Sequence, residues 1–299
     1  MTEPHPDDQL PEDQLPDDQD DEADQDDDSE QDDDSDVLDL VQPAGLSHDL
    51  ATPPTGELTI MGRLVRASNA TFLVVDEAGR KWVYKPLRGE APLHDFPSGT
   101  LGQREIAAHD LSRAAGFDCV PFTCRAEGPF GVGSVQHWVD DAADDLAALV
   151  LADEVPDDWF GMVVGADERE RDIALVHANH PRLRRLALFD LVANNADRKG
   201  GHILHRREAE QVLGVDHGLT FNTDPKLRTI LWGWAEEPFT PEERALLERT
   251  LEVADETLSP WLSDEELQAT HDRITEALAE GTFPSPNEDG WRTIPWPPI

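Results

Sequence analysis

The first fifty residues hold 21 of the chain's 64 Asp and Glu, none of its 24 Lys and Arg, and no aromatic side chain. Runs such as Asp-Asp-Gln and Asp-Asp-Asp offer too little apolar surface to offset the entropy of ordering them, so residues 1–50 read as a disordered acidic tail. Every packed element is thereby confined to the chain beyond residue 50. The ordinary reading of such a tail is a solvated segment. A partner-binding arm and an electrostatic mimic of nucleic acid are the functional alternatives, with Leu38 and Leu40 to Leu50 as a short docking stretch.

The chain of 299 residues is long enough for one large domain or two lobes that each bury a core. Its net charge of -40 argues against nucleic-acid binding and against adsorption to anionic membrane. Cys119 and Cys124 are the only cysteines, and without a second pair they read as reduced core residues rather than a zinc site. No basic start with an apolar core opens the chain, and no apolar run reaches the ~20 residues needed to span a bilayer. A cytoplasmic protein is expected.

Leu58 to Val65, Thr71 to Val75 and Lys81 to Lys85 are short apolar segments joined by polar turns, which predicts an antiparallel meander. Gln103 to Ala115 carries Ile106, Ala107, Leu111 and Ala114 at helical spacing and stops at Gly116. Cys119 to Arg125 and Gly133 to Val139 suggest another hairpin. Residues 56–139 thus read as a β-rich lobe with one helix. From Asp140 the pattern turns helical: a short helix over Asp144 to Leu151, a stronger one over Arg182 to Val192, with Arg184 and Arg185 on its solvated face. Thr240-Pro241-Glu242-Glu243 and Ser263 with Glu266 are helix starts of the capping-box type, opening helices to Ala254 and Ala279. Trp291 to Ile299 should pack across the surface. The fold class is α+β, with residues 140–299 a mostly helical second lobe.

The chemistry concentrates in Asn194-Asn195-Ala196-Asp197-Arg198-Lys199-Gly200-Gly201-His202 and in Val215-Asp216-His217-Gly218. An Asp on a polar loop followed by an Asp-x-Gly after a strand is how phosphoryl-transfer enzymes place a base beside a metal ligand. Asp197 and Asp216 are separated by one hairpin-like crossing, Ile203-Leu204 and Val212-Leu213, which brings them to one site. Lys85, at the end of an apolar strand, and Glu105, on the next helix, complete the set if they pair. Each alone would be read as a solvated edge or surface residue; paired, the lysine is fixed over phosphates. His202 could contact a metal or phosphate, or cap its loop. The turn Ser68-Asn69-Ala70-Thr71 offers N–H groups and hydroxyls to phosphates, though no glycine-rich phosphate loop is present. The reading is an ATP-dependent, kinase-like enzyme.

These motifs resemble the phosphoinositide 3/4-kinase-like branch of the protein-kinase-like fold, which includes type II phosphatidylinositol 4-kinases and toxin–antitoxin kinases, and more narrowly an actinobacterial kinase-like group. The resemblance covers about Gly56 to Trp234. It implies a two-lobed fold with ATP and Mg²⁺ or Mn²⁺ in the cleft. It further implies Asp197 as the catalytic-loop aspartate, Asp216 as the metal-binding one, and Lys85 with Glu105 as the phosphate-binding pair. Val135 to Asp140, with Gln136, Trp138 and Val139, would form the adenine-contacting hinge. His202 departs from the pattern, since many relatives carry a metal-ligating Asn there; an imidazole suits Mn²⁺ better than Mg²⁺. The acceptor does not carry over. A protein hydroxyl is favoured over a lipid or small molecule, because an acidic chain is repelled by anionic membrane. Arg182, Arg184 and Arg185 form the one evident basic cluster. The alternatives are a nucleotide-binding pseudokinase or scaffold that recruits a partner through its acidic arm, and, remotely, transfer of AMP.

Overall fold

The computed structural model describes residues 52–64, 69–286 and 293–299. The acidic tail, Ser68 and Trp291 lie outside the described residues. The protein is a mixed α+β structure whose first half is dominated by a five-stranded antiparallel sheet.

That sheet is built from β1 (Thr59–Arg63), β2 (Phe72–Val75), β3 (Lys81–Pro86), β4 (Thr123–Gly128) and β5 (Gly131–His137), in the order β1-β2-β3-β5-β4. Along β3 burial alternates. Trp82 and Tyr84 are fully buried against Val74, Val135 and Leu58, which turns Lys81, Val83 and Lys85 to the opposite face. Burying each large side chain contributes roughly 1.5–3 kcal/mol, so this small core sets the register that aims Lys85. Gly133 pairs beside Lys85 because no side chain fits there: a Cβ would lie 2.3 Å from the Lys85 carbonyl oxygen and 2.8 Å from Pro86 Cα.

Between β3 and β4 lies α1 (Leu101–Ala115), two residues longer at its start than its apolar spacing predicts. The Glu90 carboxylate accepts the N–H groups of Leu101 and Gly102 at 3.2 and 2.9 Å, supplying the cap that Thr100 does not. Gly116, in the left-handed region at φ 87°, ends the helix.

One segment of the mostly helical second half departs from expectation. Asp144 to Leu151 does not form a helix; Ala147–Leu151 is strand β6, paired along its length with β8 (Asp172–Ala178), which also pairs with β7 (Trp159–Ala166). Alanine and leucine favour helix locally, but the buried strand β8 needs ladder partners on both sides, and that tertiary demand prevails. The chain then enters α2 (Pro181–Ala193), whose Leu183, Leu186, Leu188, Phe189 and Val192 are buried in the main core. Arg184 is not on a solvated face. It pairs with Glu237 and, at 2.7 Å, with Glu243, and lies over the Phe283 ring.

The hairpin β9 (Ile203–Arg206) and β10 (Gln211–Gly214) comes next, then α3 (Pro241–Leu258) and α4 (Asp264–Glu280). Both expected capping boxes are present, Thr240 with Glu243 and Ser263 with Glu266. Leu247, Ala254 and Leu258 of α3 and Ile274 and Ala277 of α4 share one core with α2 and with Ala107, Ala108 and Leu111 of α1. Near the C-terminus, the Pro298 carbonyl accepts the Gly200 N–H at 2.8 Å, tying the chain end to the loop after α2. No helix among the described residues is long and apolar enough to cross a membrane.

Candidate active site

A cavity of about 610 Å³ opens between the five-stranded sheet and the elements beyond residue 140. Asn69, Lys85, Glu105, Gln136, Trp138 and Val139 line one side, and Asp197, His202 and Asp216 the other. The candidate site residues named from the sequence all line this one cleft, apart from Ser68, which lies outside the described residues.

Lys85 sits at the centre. Its ammonium donates to Glu105 Oε1 at 2.5 Å and to Asp216 Oδ1 at 2.8 Å. Burial alone would push the lysine down, but the charges of Asp216 and Glu105 outweigh it and hold the ammonium protonated well above its usual range. The same ammonium keeps the Asp216 carboxyl well below the usual carboxylate range, against the opposing effect of partial desolvation within the cleft. Glu105 also accepts the His217 N–H at 3.0 Å through Oε2. One carboxylate on α1 therefore fixes both the strand lysine and the backbone beside Asp216. Asp216 itself has φ 59°, in the left-handed region that a non-glycine residue seldom occupies.

The loop after α2 is held from below by charges buried in the core. Asp190, on α2, and Arg198 form a bidentate pair at 2.8 and 2.9 Å, with both side chains fully excluded from solvent. Arg198 also donates to the carbonyls of Val215 at 2.8 Å and His202 at 3.2 Å. Its remaining contact is with His217 Nε2 at 2.8 Å. Because a guanidinium only donates, His217 Nε2 accepts and its proton sits on Nδ1; burial keeps this ring neutral. Asn195 bridges the Asp190 carboxylate at 2.9 Å to the Asp197 N–H at 3.0 Å. Asn194 ends α2 in the left-handed conformation at φ 51° and turns the chain into this loop. The outcome is a rigid mount for Asp197, whose carboxyl is pushed up by burial although Lys199 lies 3.0 Å away.

Sequence reasoning missed Asp190 and took Arg198 for a polar loop residue. The available signal was an acid inside the apolar run Leu188-Phe189-Asp190-Leu191-Val192, since a buried carboxylate demands a partner. Two assigned residues are less free than expected. The Gln136 amide donates to Thr123 Oγ1 at 2.9 Å, so its side chain is committed to β4. Asn69 Oδ1 accepts the Ala91 N–H at 2.8 Å, bracing the turn before β2 against the segment after β3.

His202 Nε2 lies 3.5 Å from Asp216 Oδ2. Burial pushes its pKa down to about 4, so the imidazole is neutral at physiological pH, and its buried Nδ1 has no hydrogen-bond partner. No cluster of three or more His, Cys, Asp or Glu able to hold a metal ion occurs among the described residues. Asp216 and His202 offer one carboxylate and one neutral nitrogen, a set that fits an ion whose other ligands are phosphate oxygens and water.

No family model matches the chain. Among solved structures it is similar to the Golgi casein kinase with Mn and ADP bound, with a TM-score of 0.42 and 15% identity over 78% of this chain and 74% of that one. It is also similar to the Helicobacter pylori proinflammatory kinase CtkA, with a TM-score of 0.41 and 12% identity over 76% of this chain and 96% of that one. Superposition this loose fixes neither fold nor chemistry. Sequence is more decisive: protein Rv2133c of Mycobacterium tuberculosis is 41% identical over 262 residues, covering 81% of this chain and 92% of that protein. The chain belongs to the family of protein Rv2133c.

Proposed function

We propose that this protein is an ATP-dependent phosphotransferase of the kinase-like type, related to the phosphoinositide 3/4-kinase-like enzymes. The observation that carries the reading is the double grip of Glu105, on Lys85 at 2.5 Å and on the His217 N–H at 3.0 Å, within a cavity of about 610 Å³. Phosphoryl transfer needs a fixed cation over the phosphates, a metal-binding carboxylate and an oriented acceptor, with little covalent work by the protein. Lys85 supplies the cation and, when nucleotide enters, exchanges its contact with Asp216 for phosphate oxygens. Asp216 and His202 would hold a divalent ion, Mg²⁺ or Mn²⁺, which when bound would neutralise phosphate charge. Asp197 orients the acceptor hydroxyl and takes its proton; a carboxyl raised by burial is the better base for that step. Trp138 and Val139 form the wall for the adenine.

A protein hydroxyl is the favoured acceptor, since a chain of net charge -40 is repelled by anionic lipid. The test is incubation with γ-labelled ATP and a lysate, with Asp216→Asn as control. Label entering a protein in an Asp216-dependent manner supports the reading, and label in lipid or a small molecule corrects the acceptor. No transfer with either metal removes it.

A further inference from the structure

Arg104 precedes Glu105 on α1, and its side chain points away from the cavity into the protein, where it is 1% exposed. Nη1 donates to the Thr220 carbonyl at 2.6 Å, Nη2 to the Glu266 carboxylate on α4, and Nε to the Thr100 hydroxyl at 3.4 Å. The guanidinium lies 5.0 Å from the centroid of the Phe96 ring. Thr220 in turn donates its hydroxyl to the His217 carbonyl at 2.7 Å, and the His217 N–H is the donor to Glu105. Adjacent side chains of one helix thus hold two points of the turn after Asp216.

The anchoring continues along α1. Asp110 Oδ2 accepts the Trp261 Nε1–H at 2.9 Å, and Ala107, Ala108 and Leu111 are buried in the same core as α3 and α4. For α1 to rock away from the cleft, Arg104 would have to give up the Glu266 carboxylate and the Thr220 carbonyl and leave its own buried guanidinium unpaired, which is strongly unfavourable. We infer that Arg104 is a positioning residue: through Thr220 and Glu266 it locks α1, and with it the Lys85–Glu105–Asp216 arrangement, in the assembled state before any nucleotide binds. This inference rests on the phosphotransferase reading for its catalytic meaning, but not for its structural content.

The test uses the full chain without nucleotide, treated with a lysine-acylating reagent and read by peptide mass spectrometry. In the wild type Lys85 should react slowly, because its ammonium is engaged by two carboxylates. Glu266→Gln removes the charge facing Arg104 while its amide oxygen can still accept the Ser263 N–H of the helix cap, so folding is preserved; Arg104→Met removes the cation at similar length. Both should raise Lys85 labelling several-fold with Lys226 labelling unchanged. In turnover, both should raise the KM for ATP and lower kcat, and Arg104→Met added to Glu105→Gln should cost nothing more than Glu105→Gln alone. Lys85 labelling that stays at the wild-type level in Glu266→Gln, or fully additive losses in the double variant, overturns the lock. A wild type that protects Lys85 yet transfers no phosphate refutes the phosphotransferase reading instead and leaves the lock standing.

Discussion

Arg198 and Asp190 form a bidentate ion pair, at 2.8 and 2.9 Å, from which water is wholly excluded, and it lies directly beneath the loop that carries Asp197. The charge on α2 therefore serves the loop rather than the helix. Removing one partner strands the other. Asp190→Ala should destabilise the protein by about 3–5 kcal/mol, measured by chemical denaturation. A loss below about 1 kcal/mol would show that the pair does not support the loop.

Asp216 and Asp197 should separate in kinetics. Asp216→Asn should bring turnover to background and weaken metal-dependent ATP binding while leaving the melting temperature near wild type. Its side chain is half exposed into the cleft, so the fold does not depend on it. Unchanged transfer in that variant would falsify the metal-binding assignment.

Asp197→Asn should lower kcat by about 10²–10⁴-fold with little change in nucleotide affinity, as expected for loss of a base. Lys85→Met should weaken ATP binding as well, because it removes the cation over the phosphates. Equal losses of affinity in the two variants would contradict this division of roles.

If His202 ligates the metal as proposed, it should set metal preference. His202→Asn replaces a neutral nitrogen donor by an oxygen, so the ratio of activity with Mg²⁺ to that with Mn²⁺ should rise. If the imidazole only braces its loop, both metals lose or gain alike. Parallel metal titrations of the two proteins distinguish these outcomes.

His177 makes stability depend on pH. It is buried beside Phe160 and Trp234, and its Nε2 accepts the Gly233 N–H at 3.0 Å. Burial lowers its pKa from 6.5 to about 4, so between those values the unfolded chain binds the proton and the folded chain does not. Its contribution is complete above pH 6.5 and is lost as pH falls toward 4, amounting at most to about 3 kcal/mol. His177→Gln keeps an acceptor for Gly233 without titrating. The fall in denaturation midpoint from pH 7 to pH 5 should therefore be smaller in the variant than in the wild type.

Much of this was readable in the chain itself. Alternation along Lys81 to Lys85 faced the lysine away from the tryptophan and tyrosine, helical spacing with a terminal Gly116 placed Glu105, and Thr240 and Ser263 announced the last two helices. Period and capping are local signals, and they survive folding where nothing stronger competes. The sequence could not reveal β6, because a strand formed to satisfy a distant buried neighbour has no local signature. Nor could it pair Asp190 with Arg198, or Arg104 with Glu266, since an acid in an apolar run or a helix cap does not name the distant charge it will meet. Residue types and their order determined which groups can do chemistry here. Only the tertiary structure decided which of the remaining charges are buried, and a charge taken out of water must find its partner wherever the fold has put it.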